Sequence, residues 1–343
     1  MRFTVPEVND IIHASHVVSV PLTQPFRGLK NREVLLIEGT QGPGEWAAFT
    51  EYSDEVAAIW LRSALEQAFD TSYYSSEETE ERIPVNATFP ELAPGDVEPW
   101  WQQFPGARSA KVKVGQDPSD FSGDMTRVAR IRQVVGPDVT LRLDANARWT
   151  VDQAVRALES LSQFSIDYVE QPVATVTEMV AVKKELDGMS IRLAADELIR
   201  QSDQLDEVIA EGAADVAVLK VSPLGGIRPT AALARDAHRG GLDVVISSAL
   251  ETSVGLSWGA RAASVIRAET GSLLDAGLGT SVFLSTDTVT EPLTVSKGSI
   301  LTTKPILSHS RVETVRANPE RTQWWHERLR RCIGILRATE FLD

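Results

Sequence analysis

The sequence predicts an α/β fold: a parallel (β/α) barrel preceded by a small α+β domain, with a C-terminal segment that packs back on that domain. Three observations lead there. From about residue 84 onward, short β-rich runs alternate with helical patterns; before residue 84 the rhythm is that of antiparallel strands followed by one helix; after residue 285 strand-like runs return ahead of a last helix. The corresponding boundaries are 1–83 for the small α+β domain, 84–284 for the barrel and 285–343 for the C-terminal segment.

Taken in order, HVVSVPL, NREVLLIEG and GEWAAFTEY read as successive antiparallel strands. A helix is predicted from near Ser53, carrying Val56, Ile59, Trp60 and Leu65, and SSEETEER (75–82) reads as a charged linker. IPVNAT, AKVKVG, VTLRLDAN, IDYVEQP, IRLAADE, VAVLKVS, DVVISSA and a weaker GSLLDAG then supply eight candidate strands. Thr150 with Gln153 and Thr175 with Glu178 fit capping boxes at the starts of two intervening helices, and Gly188, Gly212 and Gly240 fall where helix C-caps belong. Eight strands interleaved with helices over roughly 200 residues favour a closed parallel barrel, although a doubly wound open sheet shares the local pattern. SVFLST and LTVSKGSI are expected as strands of the C-terminal segment. In the final helix Arg328, Arg330 and Arg331 alternate with Leu329, Ile333 and Leu336, which fits an amphipathic helix better than a docking patch.

Composition narrows the function classes. At 343 residues, 43% hydrophobic and 24% charged, the chain can bury a large core, and no apolar run approaches the roughly 20 residues of a membrane helix. MRFTVPEVNDIIHASH lacks the basic-then-apolar order of a signal peptide, so a cytoplasmic protein is expected. A net charge of -14 argues against nucleic acid or an anionic membrane as the main partner. The single cysteine, Cys332, leaves no intramolecular disulfide and no cysteine-rich metal site. His13, His16, His238, His309 and His326 show no metal-ligand spacing at barrel strand ends and are assigned no role.

The chemistry is carried by charged residues in the β-rich runs. In AKVKVG, Lys111 and Lys113 are two apart and so share one face of a strand, where two ammonium groups repel unless carboxylates stand opposite. Those carboxylates are Asp144, Glu170 and Asp196, each at the C-terminal end of its run, with Lys220 in the next. The intervals are 26 residues from Asp144 to Glu170, 26 to Asp196 and 24 to Lys220, one βα unit each time. Barrel enzymes place their chemistry at that end. Oxygen ligands contributed singly from adjacent strands, without histidine or thiolate, suit an octahedral Mg²⁺, with Mn²⁺ as a substitute, that keeps positions for water and substrate.

At these residues the chain resembles the enolase superfamily, in its muconate-lactonizing subgroup, and within that the o-succinylbenzoate synthases most. The resemblance covers nearly the whole chain and implies a modified (β/α) barrel with an α+β capping domain formed by the N-terminal region, 1–83, and completed by the C-terminal segment, 285–343. It rests on the ordered set of Lys111-x-Lys113, Asp144-x-Asn146, Glu170-Gln171-Pro172, Asp196-Glu197 and Lys220. It implies a metal-assisted removal of a proton next to a carboxylate, with Lys113 as general base that later protonates the departing hydroxide, Lys220 as a stabilising cation and Lys111 in an electrostatic role. It also implies a small-molecule carboxylate substrate, and a cap loop containing Arg27 and Gly28 folded over the barrel mouth. GPGEWAAFTEY departs from the glycine-and-glutamate pattern of racemase relatives in the second cap loop.

Each residue taken alone has a plainer reading. Asp144 could cap a helix, Glu197 could start a loop or support the metal ligands from behind, and Asn146 suits a substrate-side contact better than a ligand. Ser247 and Ser248 could bind a substrate carboxylate or simply close the barrel, and Gly225-Gly226 could cradle an anion or form a tight turn. The expected reaction is the dehydration of 2-succinyl-6-hydroxy-2,4-cyclohexadiene-1-carboxylate. N-acylamino acid racemisation, dipeptide epimerisation and cycloisomerisation use the same machinery and stay open. A Schiff-base aldolase using Lys220 leaves three carboxylates unexplained, and a binding barrel has no use for several cations beside a metal.

Overall fold

The computed structural model describes residues 5–26, 28–73, 80–117, 120–199 and 202–339. The N-terminal part consists of α1 (Val8–His13), three antiparallel strands β1 (Ser15–Phe26), β2 (Leu29–Gly39) and β3 (Gly42–Trp46), and α2 (Asp54–Phe69). Ser53 caps α2 by accepting a hydrogen bond from the Val56 amide, so the helix starts where the sequence predicts. GEWAAFTEY is strand only as far as Trp46; the remainder is a connection whose aromatic residues turn toward the barrel.

A short β4 (Arg82–Pro84) leads into the barrel. The barrel proceeds as β5 (Ala87–Phe89), α3 (Val97–Trp101), β6 (Ser109–Lys113), α4 (Ser122–Val135), β7 (Thr140–Asp144), α5 (Val151–Leu161), β8 (Ile166–Glu170) and α6 (Val176–Glu185). It continues with β9 (Arg192–Ala195), α7 (Ser202–Ala210), β10 (Val216–Lys220), α8 (Val221–Leu224), α9 (Ile227–Arg239), β11 (Asp243–Ser247) and α10 (Ser253–Thr270). Strands β5 to β11 form one parallel seven-stranded sheet in sequence order. Both predicted capping boxes are present at α5 and α6.

Three expectations are corrected. IPVNAT is split: β4 pairs antiparallel with a tail strand, and only β5 belongs to the parallel sheet. GSLLDAG is not a strand but a pair of parallel bridges, Val85 with Ala276 and Ser247 with Gly277, which join the two edges of the sheet. A Cβ on Gly277 would lie 2.5 Å from Ser247 Oγ and 3.2 Å from Ser247 Cβ, so the run passes close against the end of β11. In the tail, SVF is a 3₁₀ turn, and LTVSKGSI contributes only β12 (Ser299–Leu301), the partner of β4.

The chain ends in α11 (His309–Thr314) and α12 (Pro319–Ala338). Helix α12 packs into the N-terminal core: Trp325, Leu329, Cys332, Ile333 and Leu336 are buried with Leu35, Ile37, Trp46 and Leu61. Trp325 meets Trp46 edge-on at 5.0 Å. Arg328 is buried here, donating to the Phe49 carbonyl at 3.2 Å and pairing with Asp54 at 3.3 Å, rather than lying on a solvated face. Among the described residues no helix is long and apolar enough to cross a membrane.

Candidate active site

The alternation of side chains along parallel strands builds the site in layers. Lys113 is in register with Asp144, and Asp144 with Glu170, so three charged residues that each end a strand stand side by side on β6, β7 and β8. Glu170 is in register with Ala194, and Asp196 lies two residues further, on the same face, just past the end of β9. Lys220 ends β10 and Ser247 ends β11, again in register. One layer down, Lys111 is in register with Arg142 and Arg142 with Tyr168; the Arg142 guanidinium lies 5.0 Å from the Tyr168 ring. Below the charges on the next strands are Ala194, Val216, Val218 and Val245. The ionic groups are thus the top layer of an otherwise packed barrel interior.

The charges are interleaved. Lys113 Nζ donates to Asp144 Oδ2 and, at 2.8 Å, to Asn146 Oδ1. Lys111 Nζ lies 2.9 Å from Glu170 Oε2 and 3.4 Å from Asp144 Oδ2. Lys220 Nζ pairs with Asp196 Oδ2. Asn146 Nδ2 donates to Glu197 Oε1 at 3.3 Å, which places Glu197 behind the rim. Gln171 holds Asp196 in position: its Oε1 accepts from the Asp196 and Leu198 amides at 3.1 and 3.3 Å. Asn146, Ala147, Gln171 and Leu250 all have positive φ, at 48°, 58°, 42° and 67°. For non-glycine residues that conformation is costly, and all four lie within three residues of the end of a barrel strand at this rim.

Lys111, Lys113, Asp144, Asn146, Glu170, Asp196, Lys220, Ser247 and Ser248 line one cavity of about 270 Å³. The structure therefore brings together most of the candidates read from sequence. Gly28 is not among the residues lining it, and Arg27 lies outside the described residues. The wall facing the rim comes from the cap: Phe49, Tyr52, Val56, Ile59 and Trp60. Sequence reasoning singles out none of the five as site residues: Phe49 and Tyr52 fall in a run that reads as strand, and Val56, Ile59 and Trp60 read as the apolar face of the Ser53 helix; the available signal is aromatic residues on both sides of that helix start. Arg32 braces this wall, with its guanidinium 4.2 Å from the Phe49 ring and its Nε donating to the Leu250 carbonyl at 3.1 Å. Ser248 Oγ is 2.7 Å from Thr280 Oγ1, another lining residue that sequence reading did not single out. The Gly225-Gly226 pair does meet an anion, but it is the chain's own Glu66, whose carboxylate accepts from the Ile227 amide at 2.6 Å.

Comparison with known proteins shows the family of the chain. Residues 101–305 match the family described as enolase C-terminal domain-like, and residues 17–68 the enolase N-terminal domain-like family. The o-succinylbenzoate synthase of Mycobacterium marinum is 40% identical over 329 residues, 95% of each chain. That of Mycobacterium tuberculosis is 38% identical over 334 residues, covering 96% of this chain and 97% of its own. The chain belongs to the o-succinylbenzoate synthase family of the enolase superfamily. Among solved structures, muconate lactonizing enzyme from Pseudomonas fluorescens, complexed with muconolactone, has a TM-score of 0.72 at 20% identity, covering 88% of this chain and 98% of that one. That likeness shows the shared barrel and cap.

The divalent metal that the family implies fits the rim on three counts. Asp144, Glu170 and Asp196 offer only hard oxygen donors and are each at most 2% exposed. Glu170 Oε1 is buried and accepts no hydrogen bond among the described residues, although Glu170 Oε2 is engaged by Lys111. Burial and the neighbouring Asp144 carboxylate push the Glu170 carboxyl up, a crowding of negative charge that a cation relieves. As they stand, the carboxylates are turned toward the lysines.

The lysines differ. Burial works against the Lys111 ammonium, but the Glu170 and Asp144 carboxylates raise its pKa and keep it charged. At Lys113 burial wins: desolvation, helped by the Lys111 charge, lowers its pKa in spite of Asp144.

Proposed function

We propose that the chain catalyses the Mg²⁺-dependent dehydration of 2-succinyl-6-hydroxy-2,4-cyclohexadiene-1-carboxylate to o-succinylbenzoate, a step of menaquinone biosynthesis. The observation that carries this is the order of charged groups around the cavity, Lys113 and then three carboxylates and then Lys220 on consecutive strands, in a chain 38–40% identical to named o-succinylbenzoate synthases. Asp144, Glu170 and Asp196 would hold the cation, which when bound supplies fixed positive charge for the two negative charges that develop on the substrate carboxylate. Mg²⁺ suits the all-oxygen donor set, and Mn²⁺ substitutes for it.

Neutral Lys113 takes the proton from the ring carbon bearing the carboxylate. The freed electron pair moves into the ring as the neighbouring carbon–hydroxyl bond breaks, and the Lys113 ammonium returns its proton to the leaving hydroxide, so that water departs and the ring becomes aromatic. Lys220 stays charged beside the developing enediolate, and Lys111 anchors Glu170 and Asp144 while favouring the neutral form of Lys113. Asn146 orients the Lys113 amine, and Glu197 holds Asn146. Ser247 and Ser248 offer hydroxyls to a substrate carboxylate, and the aromatic cap wall covers the ring and excludes water. Arg27 and Gly28 belong to the cap loop that closes over substrate in this reading. The division into a cap, 1–83 with 285–343, and a barrel, 84–284, is part of it, as is a cytoplasmic location with neither nucleic acid nor membrane as partner.

The competing reactions differ in what Lys220 must do. Racemisation needs a base on each side of the carbon, whereas a syn elimination needs one. Purified protein is offered the cyclohexadiene substrate and, separately, N-succinylamino acids of both configurations in deuterated water. Efficient dehydration with slow α-deuteration is expected. Rapid α-deuteration and racemisation with negligible dehydration would overturn the proposal and make Lys220 a second base.

A further inference from the structure

Away from the barrel mouth, three side chains of metal-ligating type converge. His16 on β1 is in register with Leu36 on β2, so Glu38 lies two residues along and on the same face. His16 Nε2 is 2.6 Å from Glu38 Oε1. His309, the first residue of α11, sets its ring edge-on to His16 with centroids 5.8 Å apart. One ligand atom from each of the three lies within 4.8 Å of the other two, the one such set of histidine, cysteine, aspartate or glutamate atoms among the described residues. Glu38 and His309 also line a surface cavity of about 390 Å³, which gives the remaining coordination positions room for water.

We propose that His16, Glu38 and His309 form a binding site for a divalent transition metal of the zinc class, chemically distinct from the oxygen-only site in the barrel. Two imidazoles and one carboxylate are a donor set for Zn²⁺ and its later first-row neighbours, and a poor one for Mg²⁺, which prefers oxygen throughout. Glu313 follows His309 by one helical turn and lies within electrostatic reach of both histidines, so it adds negative charge beside the cation. Lys304 in the same cavity wall and Arg316, whose Nε donates to Glu313 Oε2 at 2.9 Å, are the opposing charges. The ligands come from positions 16, 38 and 309, so the metal would tie the N-terminal sheet to the C-terminal segment and stabilise their association by binding only the assembled form. The five histidines have no sequence spacing that announces this site; it exists only once α11 has docked beside β1.

The test is zinc uptake by the full-length protein in excess Mg²⁺, compared for wild type, His309→Ala and Glu38→Gln. Wild type is expected to take up one zinc equivalent per chain more than either variant, or to bind that equivalent at least about tenfold more tightly. Zinc should raise the thermal midpoint of wild type and leave those of the variants in place. Equal stoichiometry and affinity in all three proteins, or a wild type that takes up no zinc under these conditions, overturns the proposal. Glu38 and His309 are exposed and do not line the barrel cavity, so dehydration in Mg²⁺ without zinc is expected to be the same in all three. That readout separates failure of this site from failure of the proposed reaction.

Discussion

Lys111 and Lys113 leave one strand on one face, two residues apart, and acquire opposite chemistry from their neighbours. Lys111 sits in the lower layer between two carboxylates and stays charged; Lys113, at the strand end, is lowered by burial and by Lys111. A general base works when neutral, so activity should rise with pH as Lys113 deprotonates. Its lowered pKa places the midpoint of that rise below the ordinary lysine value of about 10.4. Lys113→Ala should lose at least about a hundredfold in kcat, while Lys111→Ala should lose less and shift the rise toward higher pH by removing the neighbouring charge. Steady-state kinetics across pH would check both, and the reverse ranking of the two variants would contradict the assignment. At this scale the rim was legible because strand alternation and βα-unit spacing are one-dimensional quantities. The wall of Phe49, Tyr52, Val56, Ile59 and Trp60 was not, because which barrel rim a cap connection covers is decided by packing between segments far apart in sequence.

Strand ends place the charges, and helix starts fasten the cap. Glu45, on β3 of the cap, accepts from the Thr252 amide at 3.0 Å, the Thr252 hydroxyl at 2.6 Å and the Gly255 amide at 2.8 Å, at the first turn of barrel helix α10. Glu66 from α2 does the same at the start of α9. Two barrel helices thus have their free amides satisfied by carboxylates from the cap, where the helix dipole also favours negative charge. A Cβ on Gly226 would lie 1.8 Å from Glu66 Oε2, and its φ of +123° is itself a glycine conformation. Burial nevertheless pushes the Glu45 carboxyl from its ordinary 4.5 up to about 8, against these hydrogen bonds and with help from Glu251. The folded protein then keeps a proton that the unfolded chain releases, so the associated stability is full below pH 4.5 and is lost as pH rises through about 8. In thermal denaturation, Glu45→Gln should therefore lose less stability than wild type across that window; parallel pH profiles would contradict this. Elements with capping boxes or Ser53-type caps were legible, since their signals are local. The tail strands and the eighth barrel run were over-read, because short apolar segments become strand only when a partner edge is available along their length, and 271–277 meets its neighbours only at the Val85–Ala276 and Ser247–Gly277 bridges.

On the scale of the whole molecule, two cores meet at one cavity. The barrel presents a charged floor, the cap presents an aromatic roof, and α12 completes the cap core through Trp325 while Arg328 ties it to the carbonyl of Phe49, a residue of that roof. In the proposed reaction, a floor that holds a metal under a roof that excludes water would suit the stabilisation of a doubly negative intermediate, because the same charges act more strongly where water is absent. The architecture was legible from the alternation of runs after residue 84, and the joining of the N-terminal and C-terminal segments into one cap core only in outline. The central claim is that Asp144, Glu170 and Asp196 together hold the essential cation. The most direct measurement is the initial dehydration rate of chelator-stripped protein as Mg²⁺ is added back, for wild type and for Asp144→Asn, Glu170→Gln and Asp196→Asn. Wild type should be inactive without metal and recover fully, whereas each folded variant should need at least about tenfold more Mg²⁺ and turn over at least about a hundredfold more slowly. Wild-type turnover without any divalent ion, or a variant that matches wild type in rate and Mg²⁺ requirement, would contradict the account.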